Sequence, residues 1–400
     1  MDVLHINTTD TSGSAIAAKR LSAGLNSLGI NSKILSLDKR GNDVSFTGFF
    51  EDRILALKPL SLFQRHFLPT YRKIVHSIKN LDENIFTFPN TLIDITKHEL
   101  FKKADIIHLH HIADFVDIKS FFNKNTKPIV WTIHDFNPIS GGNHWPDSDI
   151  SKFQKYVARN IEIKKNAYSK AKYLKVINPS EFQKNEVIKS GLFPEKSIKF
   201  IPHGVDFNIY NSHKRIAFSE NSKFPNNNKR NIIFISDDHK LSNKGADLFI
   251  EIVNILGDKF NYIAVGKNTS IYCNHKLIVQ IGFVSDENQL ADIYRSADIC
   301  LILSKFESFS QITIESLACG TPVISTNCGG PEEIIESGIT GYIVKNRNAI
   351  KFAEIIENVM NDKVKLADMS EASAEKAKIY DVNIIARQYL GIYKELTHNK

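Results

Sequence analysis

Short β-rich runs alternate along this chain with stretches in which apolar residues recur every three or four positions. Val3–Thr9 reads as a strand. The small-residue turn Asp10–Ala15 then opens an amphipathic helix that runs to Leu28 and stops at Gly29, and Asn31–Leu37 is the next strand. Asp105–His111 (DIIHLHH) and Ile129–Asp135 (IVWTIHD) are apolar runs of the kind buried in the middle of a parallel sheet, each with histidine at its carboxyl end. Tyr173–Ser180 and Ile198–Asp206 continue the series, with a helix over Glu181–Ser190 between them. The polar, aperiodic stretch 211–230 then interrupts it. Strands resume at Asn231–Ser236, Asn261–Gly266, Leu277–Gly282 and Asp298–Ser304, separated by helices over Ala246–Leu256 and Asp286–Ser296. A helix over Gln311–Cys319 follows, and Ala349–Met360 and Asp381–Leu396 are the closing helices. This β–α alternation predicts two α/β domains, residues 1–210 and 231–380, joined by a linker over 211–230 and followed by a helix within 381–400.

Four hundred residues are too many for one core and suit two domains. No apolar run approaches the ~18 residues that span a bilayer, and Met1–Asp2 leads directly into a strand, so a cytoplasmic protein without a signal peptide is expected. The four cysteines, Cys273, Cys300, Cys319 and Cys328, show no C-x-x-C spacing and read as buried thiols. The net charge of +7 is uneven: residues 1–200 hold 29 Lys+Arg against 20 Asp+Glu, and residues 201–400 hold 22 against 24. No zinc-finger, helix-turn-helix or aromatic-basic RNA motif accompanies the basic half, so nucleic acid is not an expected partner.

Candidate chemistry concentrates between Phe306 and Val344. Glu307 lies on the loop after the strand Asp298–Ser304, and Glu315 a turn into the following helix, so both carboxylates can face one ligand. The backbone N–H groups of Ser308, Phe309, Ser310 and Gln311 lie at the positive end of that helix, where a phosphate is favoured. Gly329 and Gly330 lead through Pro331 into a second helix start over Glu332–Ser337. Upstream, Lys244–Gly245 immediately precedes a helix.

The pattern E-x7-E, then A-x-G-x-P-V, G-G-x-x-E-I-I and T-G-Y-I-V, resembles the nucleotide-sugar half of the retaining glycosyltransferases of the group 1, glycogen-synthase-like type. The resemblance implies the GT-B fold: two Rossmann-like α/β domains facing a cleft, acceptor on the first and donor on the second, with the Tyr389/Tyr393 helix crossing back onto the first. It implies transfer of a sugar from a nucleoside diphosphate sugar, a UDP-sugar favoured over a GDP-sugar, to a glycan or lipid-linked acceptor in cell-surface polysaccharide assembly. Glu307 would contact sugar hydroxyls, Glu315 the ribose, and Lys244 the diphosphate. His134 would stand beside the reacting sugar, with Asp135 orienting it or meeting the acceptor, while His108, His110 and His111 are read as core histidines. Gly13 and Ser14 match the family's Gly-Gly turn near the donor phosphates, and Gly141 and Gly142 its acceptor-side loop. The arginine usual before the family's lysine is missing; Lys240 or His239 is the available substitute. Neither cofactor nor metal is expected, because Asp147 and Asp149, although spaced as D-x-D, read as helix caps. An epimerase or phosphorylase of the same fold and a non-catalytic nucleotide-sugar-binding subunit are the alternatives.

The basic half suggests a surface for an anionic membrane. Tyr71, Ile74, Val75 and Ile78 have amphipathic helical spacing, with Arg72, Lys73 and Lys79 beside them, and Lys152, Lys155 and Arg159 share a helix face.

Overall fold

A computed structural model of the chain describes residues 1–39, 41, 43–49, 86–146, 148–212, 225 and 227–398. The segment holding Tyr71–Lys79, most of the expected linker, and Asp147 lie outside the described residues. The chain forms two compact units: Met1–Pro179, Lys184–Ile201 and Ala386–Lys400 make the first, Ser180–Gln183 and Pro202–Ile385 the second.

The first unit is built on a parallel sheet of β1 (Asp2–Thr9), β2 (Asn31–Asp38), β3 (Phe46–Gly48), β4 (Ile106–Leu109), β5 (Ile129–Thr132), β6 (Leu174–Asn178) and β7 (Ile198–Phe200), in the order β3-β2-β1-β4-β5-β6-β7. The direction of winding reverses between β1 and β4, and the carboxyl ends there are where such sheets take ligands. The two faces of this sheet differ in chemistry. Leu4, Ile6, Leu35, Ile107, Leu109, Ile129 and Trp131 point to one side and form an apolar core. In the register His5 lies opposite His108, and His108 opposite Val130. Because side chains alternate along a strand, His5, His108 and Thr132 share the other face, which Tyr389 and Tyr393 cover.

The second unit repeats the winding with β8 (Asn231–Asp238), β9 (Asn261–Lys267), β10 (Ile278–Ile281), β11 (Ile299–Ile302), β12 (Val323–Thr326) and β13 (Gly341–Val344), in the order β10-β9-β8-β11-β12-β13. Here both faces are apolar. Ile232, Phe234 and Leu301 enter one core, and Ile233, Ile235, Cys300 and Ile302 the other, as expected when helices cover a parallel sheet on both sides. Cys300, Cys319 and Cys328 are buried free thiols, whereas Cys273 is exposed.

Several elements depart from expectation. The helix after Gly329 is only Gly330–Ile334, because Ile335 turns extended and Gly338 N–H bonds back to the Gly341 carbonyl. A helix over Lys363–Ala377 and the short strand β3 were not anticipated. Among the described residues no helix is long and apolar enough to cross a membrane.

Candidate functional site

In the second unit, the strand-order reversal between β8 and β11 brings Lys244 to Glu307. Lys244 Nζ lies 2.9 Å from Glu307 Oε1 and 3.7 Å from Asp237 Oδ1. Ser304 Oγ donates to the same Glu307 oxygen at 2.7 Å, fixing the carboxylate from below. Burial disfavours the ammonium, but Glu307 and then Asp237 outweigh it and hold Lys244 above its ordinary pKa. Gly245 gives Lys244 its position: it caps the helix Ala246–Leu256 at φ 91°, and a Cβ there would sit 2.2 Å from the Leu303 carbonyl oxygen.

The loop carrying Glu307 is tied to the Gly-Gly turn. Glu307 N–H donates to the Cys328 carbonyl at 2.7 Å and Gly330 N–H to the Glu307 carbonyl at 2.9 Å. A Cβ on Gly330 would meet Phe309 Cα at 2.4 Å, so only glycine allows this approach. Ser310, at φ 80°, caps the helix Gln311–Ala318 by accepting from Thr313 N–H at 3.3 Å. Non-glycine residues seldom adopt such a backbone, and strain of this kind gathers at ligand sites. Glu315 lies one turn into that helix as expected, but it is buried and accepts from Tyr294 Oη at 2.9 Å. Of the two substitutes for the missing arginine, His239 is ruled out: it is buried, and its ring nitrogens engage Tyr272 Oη and the Val265 carbonyl. Lys240 is exposed beside it.

In the first unit, His134 follows β5 and its Nε2 lies 3.0 Å from His110 Nδ1. His108 is the satisfied core histidine expected, with Thr132 Oγ1 at 2.8 Å and Tyr393 Oη at 2.7 Å. Asp135 meets His144 Nδ1 at 2.6 Å, His111 Nε2 at 3.4 Å and Asn137 N–H at 2.9 Å. Burial would raise the Asp135 carboxyl, yet His144 and His111 hold it well below the carboxylate range; Asp135 in turn holds His111 above its ordinary value despite burial. His144 continues to Thr87 Oγ1 at 3.0 Å.

The loop expected on the acceptor side is clamped by the helix Gln154–Tyr168. Lys164 is buried and donates through Nζ to the carbonyls of Asn137 and Ser140, while Asn160 Nδ2 donates to the Gly141 carbonyl at 2.7 Å. A Cβ on Gly141 would lie 2.7 Å from Val157 Cα. Gly13 and Ser14 start the helix Gly13–Ser27, where Ser12 caps Ala15 N–H and pairs with Ser14 Oγ at 2.8 Å. Asp149 accepts from Ser151 N–H at 3.0 Å, a local turn contact; the helical turn Ser151–Phe153 and the helix Gln154–Tyr168 start at Ile150 and Phe153 with no side-chain cap, so Asp149 does not make the cap expected of it.

By residue type, His5/His108/His110 and His111/Asp135/His144 could each hold a divalent ion, their ligand-type atoms lying within 4.8 Å of one another. In the first set, however, both nitrogens of His108 and of His110 already have hydrogen-bond partners. Four residues that shape these clusters escaped the sequence reading: Ser304, Tyr294, His144 and Lys164. Ser304 follows a strand, His144 sits in a loop, and Tyr294 and Lys164 lie on helices whose other residues give no sign of a site, so only the folded pairing reveals them.

Residues 217–376 match the family of glycosyl transferases group 1, and residues 11–208 match Glycosyltransferase Family 4. An N,N'-diacetylbacillosaminyl-diphospho-undecaprenol alpha-1,3-N-acetylgalactosaminyltransferase from Campylobacter jejuni is 30% identical over 166 residues, covering 40% of this chain and 43% of that protein. Among solved structures, a sucrose-phosphate synthase from Thermosynechococcus elongatus superposes with a TM-score of 0.72 at 16% identity, and HepE from Anabaena in complex with UDP-glucose with 0.68 at 17%, each over all of both chains. With a group 1 domain over residues 217–376 and a Family 4 domain over residues 11–208, the chain is a glycosyltransferase with the GT-B fold.

Proposed function

We propose that this enzyme transfers a sugar from a UDP-sugar to a glycan or lipid-linked acceptor, with retention at the anomeric carbon and without a metal ion, in cell-surface polysaccharide synthesis. The observation that carries the reading is the Lys244–Glu307 pair at the strand-order reversal, beside the amino end of the helix Gln311–Ala318. A departing nucleoside diphosphate gathers negative charge. A lysine ammonium and a helix amino terminus are fixed positive charge that needs no reorganisation as the bond breaks. In this reading Lys244 and the N–H groups of Ser308–Gln311 take the diphosphate, Glu307 the sugar hydroxyls and Glu315 the ribose. His134 borders the transferred sugar; Asp135, Gly141 and Gly142 lie on the acceptor side, and Gly13 and Ser14 near the phosphates. The UDP-glucose held by HepE and the diphospho-undecaprenol acceptor in the name of the Campylobacter jejuni relative support the substrate classes. The basic excess of residues 1–200 supports peripheral docking on the anionic inner face of the cytoplasmic membrane.

The test is a transfer assay with a panel of UDP- and GDP-sugars and lipid-linked or oligosaccharide acceptors, with the product's anomeric coupling read by NMR. A product with the donor's anomeric configuration is expected. An inverted product, or nucleotide-sugar conversion that needs no acceptor, would overturn the proposal.

A further inference from the structure

The polar face of the first sheet carries three imidazoles in a row. His134 Nε2 lies 3.0 Å from His110 Nδ1, and His110 Nε2 lies 2.9 Å from His5 Nδ1. The rings of His5 and His110 are stacked at 5.2 Å, and those of His110 and His134 lie 5.3 Å apart. His5 and His110 are fully buried, whereas His134 is only half-buried. The row ends at His5 Nε2, a buried atom with no hydrogen-bond partner.

Neutral imidazole carries one N–H and one lone pair, so a chain of three must donate in one direction throughout. If donation ran inward, His5 Nε2 would carry a buried N–H with no acceptor. If it ran outward, His5 Nε2 would be a bare lone pair. Orphaned buried N–H groups are the rarer of the two kinds of unsatisfied group. Burial also disfavours a second proton on His5, leaving it neutral near pH 7.

We infer that His110 and His5 are positioning residues for His134: His5 Nδ1–H donates to His110, His110 Nδ1–H donates to His134 Nε2, and His134 is thereby held as the Nδ1–H tautomer. Its ring then presents an N–H donor through Nδ1. The significance for transfer rests on the proposed place of His134 beside the sugar; the tautomer itself does not.

The wild-type enzyme labelled with 15N-histidine gives the tautomer directly, since protonated and bare ring nitrogens resonate far apart, and His134→Gln identifies the His134 signals by their loss. Protonated Nδ1 and bare Nε2 on His134 at neutral pH are expected, and the reverse overturns the inference. Under the transfer assay, His110→Leu is expected to lower kcat about ten- to a hundred-fold, the scale of a misplaced reacting geometry, with KM for the donor changed less than about threefold. His110→Asn, whose amide can still donate to His134, is expected to recover most of that loss. Equal kcat in His110→Leu and wild type, or no recovery in His110→Asn, would contradict the positioning role. Failure of the functional reading has a different signature, namely full activity in His134→Gln.

Discussion

Replacing Lys164 by methionine removes a buried ammonium from the loop that carries Gly141 and Gly142. Burial lowers the Lys164 pKa from 10.5 to about 7, against a smaller opposing pull from Asp135. That difference corresponds to a penalty on the protonated form on the order of 5 kcal/mol. Folded Lys164 therefore binds its proton less tightly than the unfolded chain does. Between about pH 7 and pH 10 the unfolded state holds more protons, and resistance to unfolding rises with pH by about 3 kcal/mol from this residue alone. Methionine carries no proton, so K164M lacks the rise. The variant also takes the Lys164 donor from the Ser140 carbonyl and leaves the Asn137 carbonyl only the long contacts from Ser140 N–H and Oγ at 3.4 Å, a cost of about 1–3 kcal/mol each. At about pH 7 this roughly offsets relief of the buried charge; at about pH 10 it is uncompensated, and K164M should be the weaker by about 3 kcal/mol. Both tryptophans, Trp131 and Trp145, lie in the first unit, so urea unfolding followed by their fluorescence reports on that unit alone. Parallel stability-against-pH curves for the two proteins would refute the reasoning.

Three shorter predictions follow from the same geometry. Gly330→Ala places a methyl 2.4–2.7 Å from the Phe309 backbone, so the Glu307 loop must shift by an overpacking cost of about 1–3 kcal/mol; UDP affinity should fall about tenfold or more, and unchanged affinity by calorimetry would remove the loop from the donor site. Transfer activity should survive EDTA, and complete loss restored by manganese or magnesium would move the work of Lys244 to a metal. Sedimentation with liposomes should show binding to anionic but not neutral vesicles, lost at high salt and in a Lys152/Lys155/Arg159→Glu variant, since each basic residue near such a surface contributes about 1 kcal/mol; indifference to vesicle charge would rule the membrane surface out.

Much of the framework was legible because parallel strands and amphipathic helices leave strong periodic signals. The strand before Gly13, the helix it opens and its stop at Gly29 fall where the pattern places them. The helix Lys363–Ala377 was missed because its buried positions, Leu366, Met369, Ser373 and Ala377, are thinly spread and partly small or polar. The run DIIHLHH was read as one apolar strand, yet Ile107 and Leu109 face the core while His108 and His110 face the polar side. What fixes that division is the register of β1, β4 and β5, a property of three distant segments. For the same reason Lys244 and Glu307 were each nameable, but their 2.9 Å contact was not. Glu315 was placed on the right helix, and its buried partner Tyr294 lies in a different one.

The central claim is that Lys244 and Glu315 hold a nucleoside diphosphate on the second unit. Isothermal titration of UDP into the wild-type enzyme, Lys244→Ala and Glu315→Ala tests it most directly. The account predicts binding to the wild type and a loss of about 1–3 kcal/mol in each variant, the range for charge-assisted hydrogen bonds, or roughly five- to 150-fold in affinity. Equal affinity of all three proteins for UDP would contradict it.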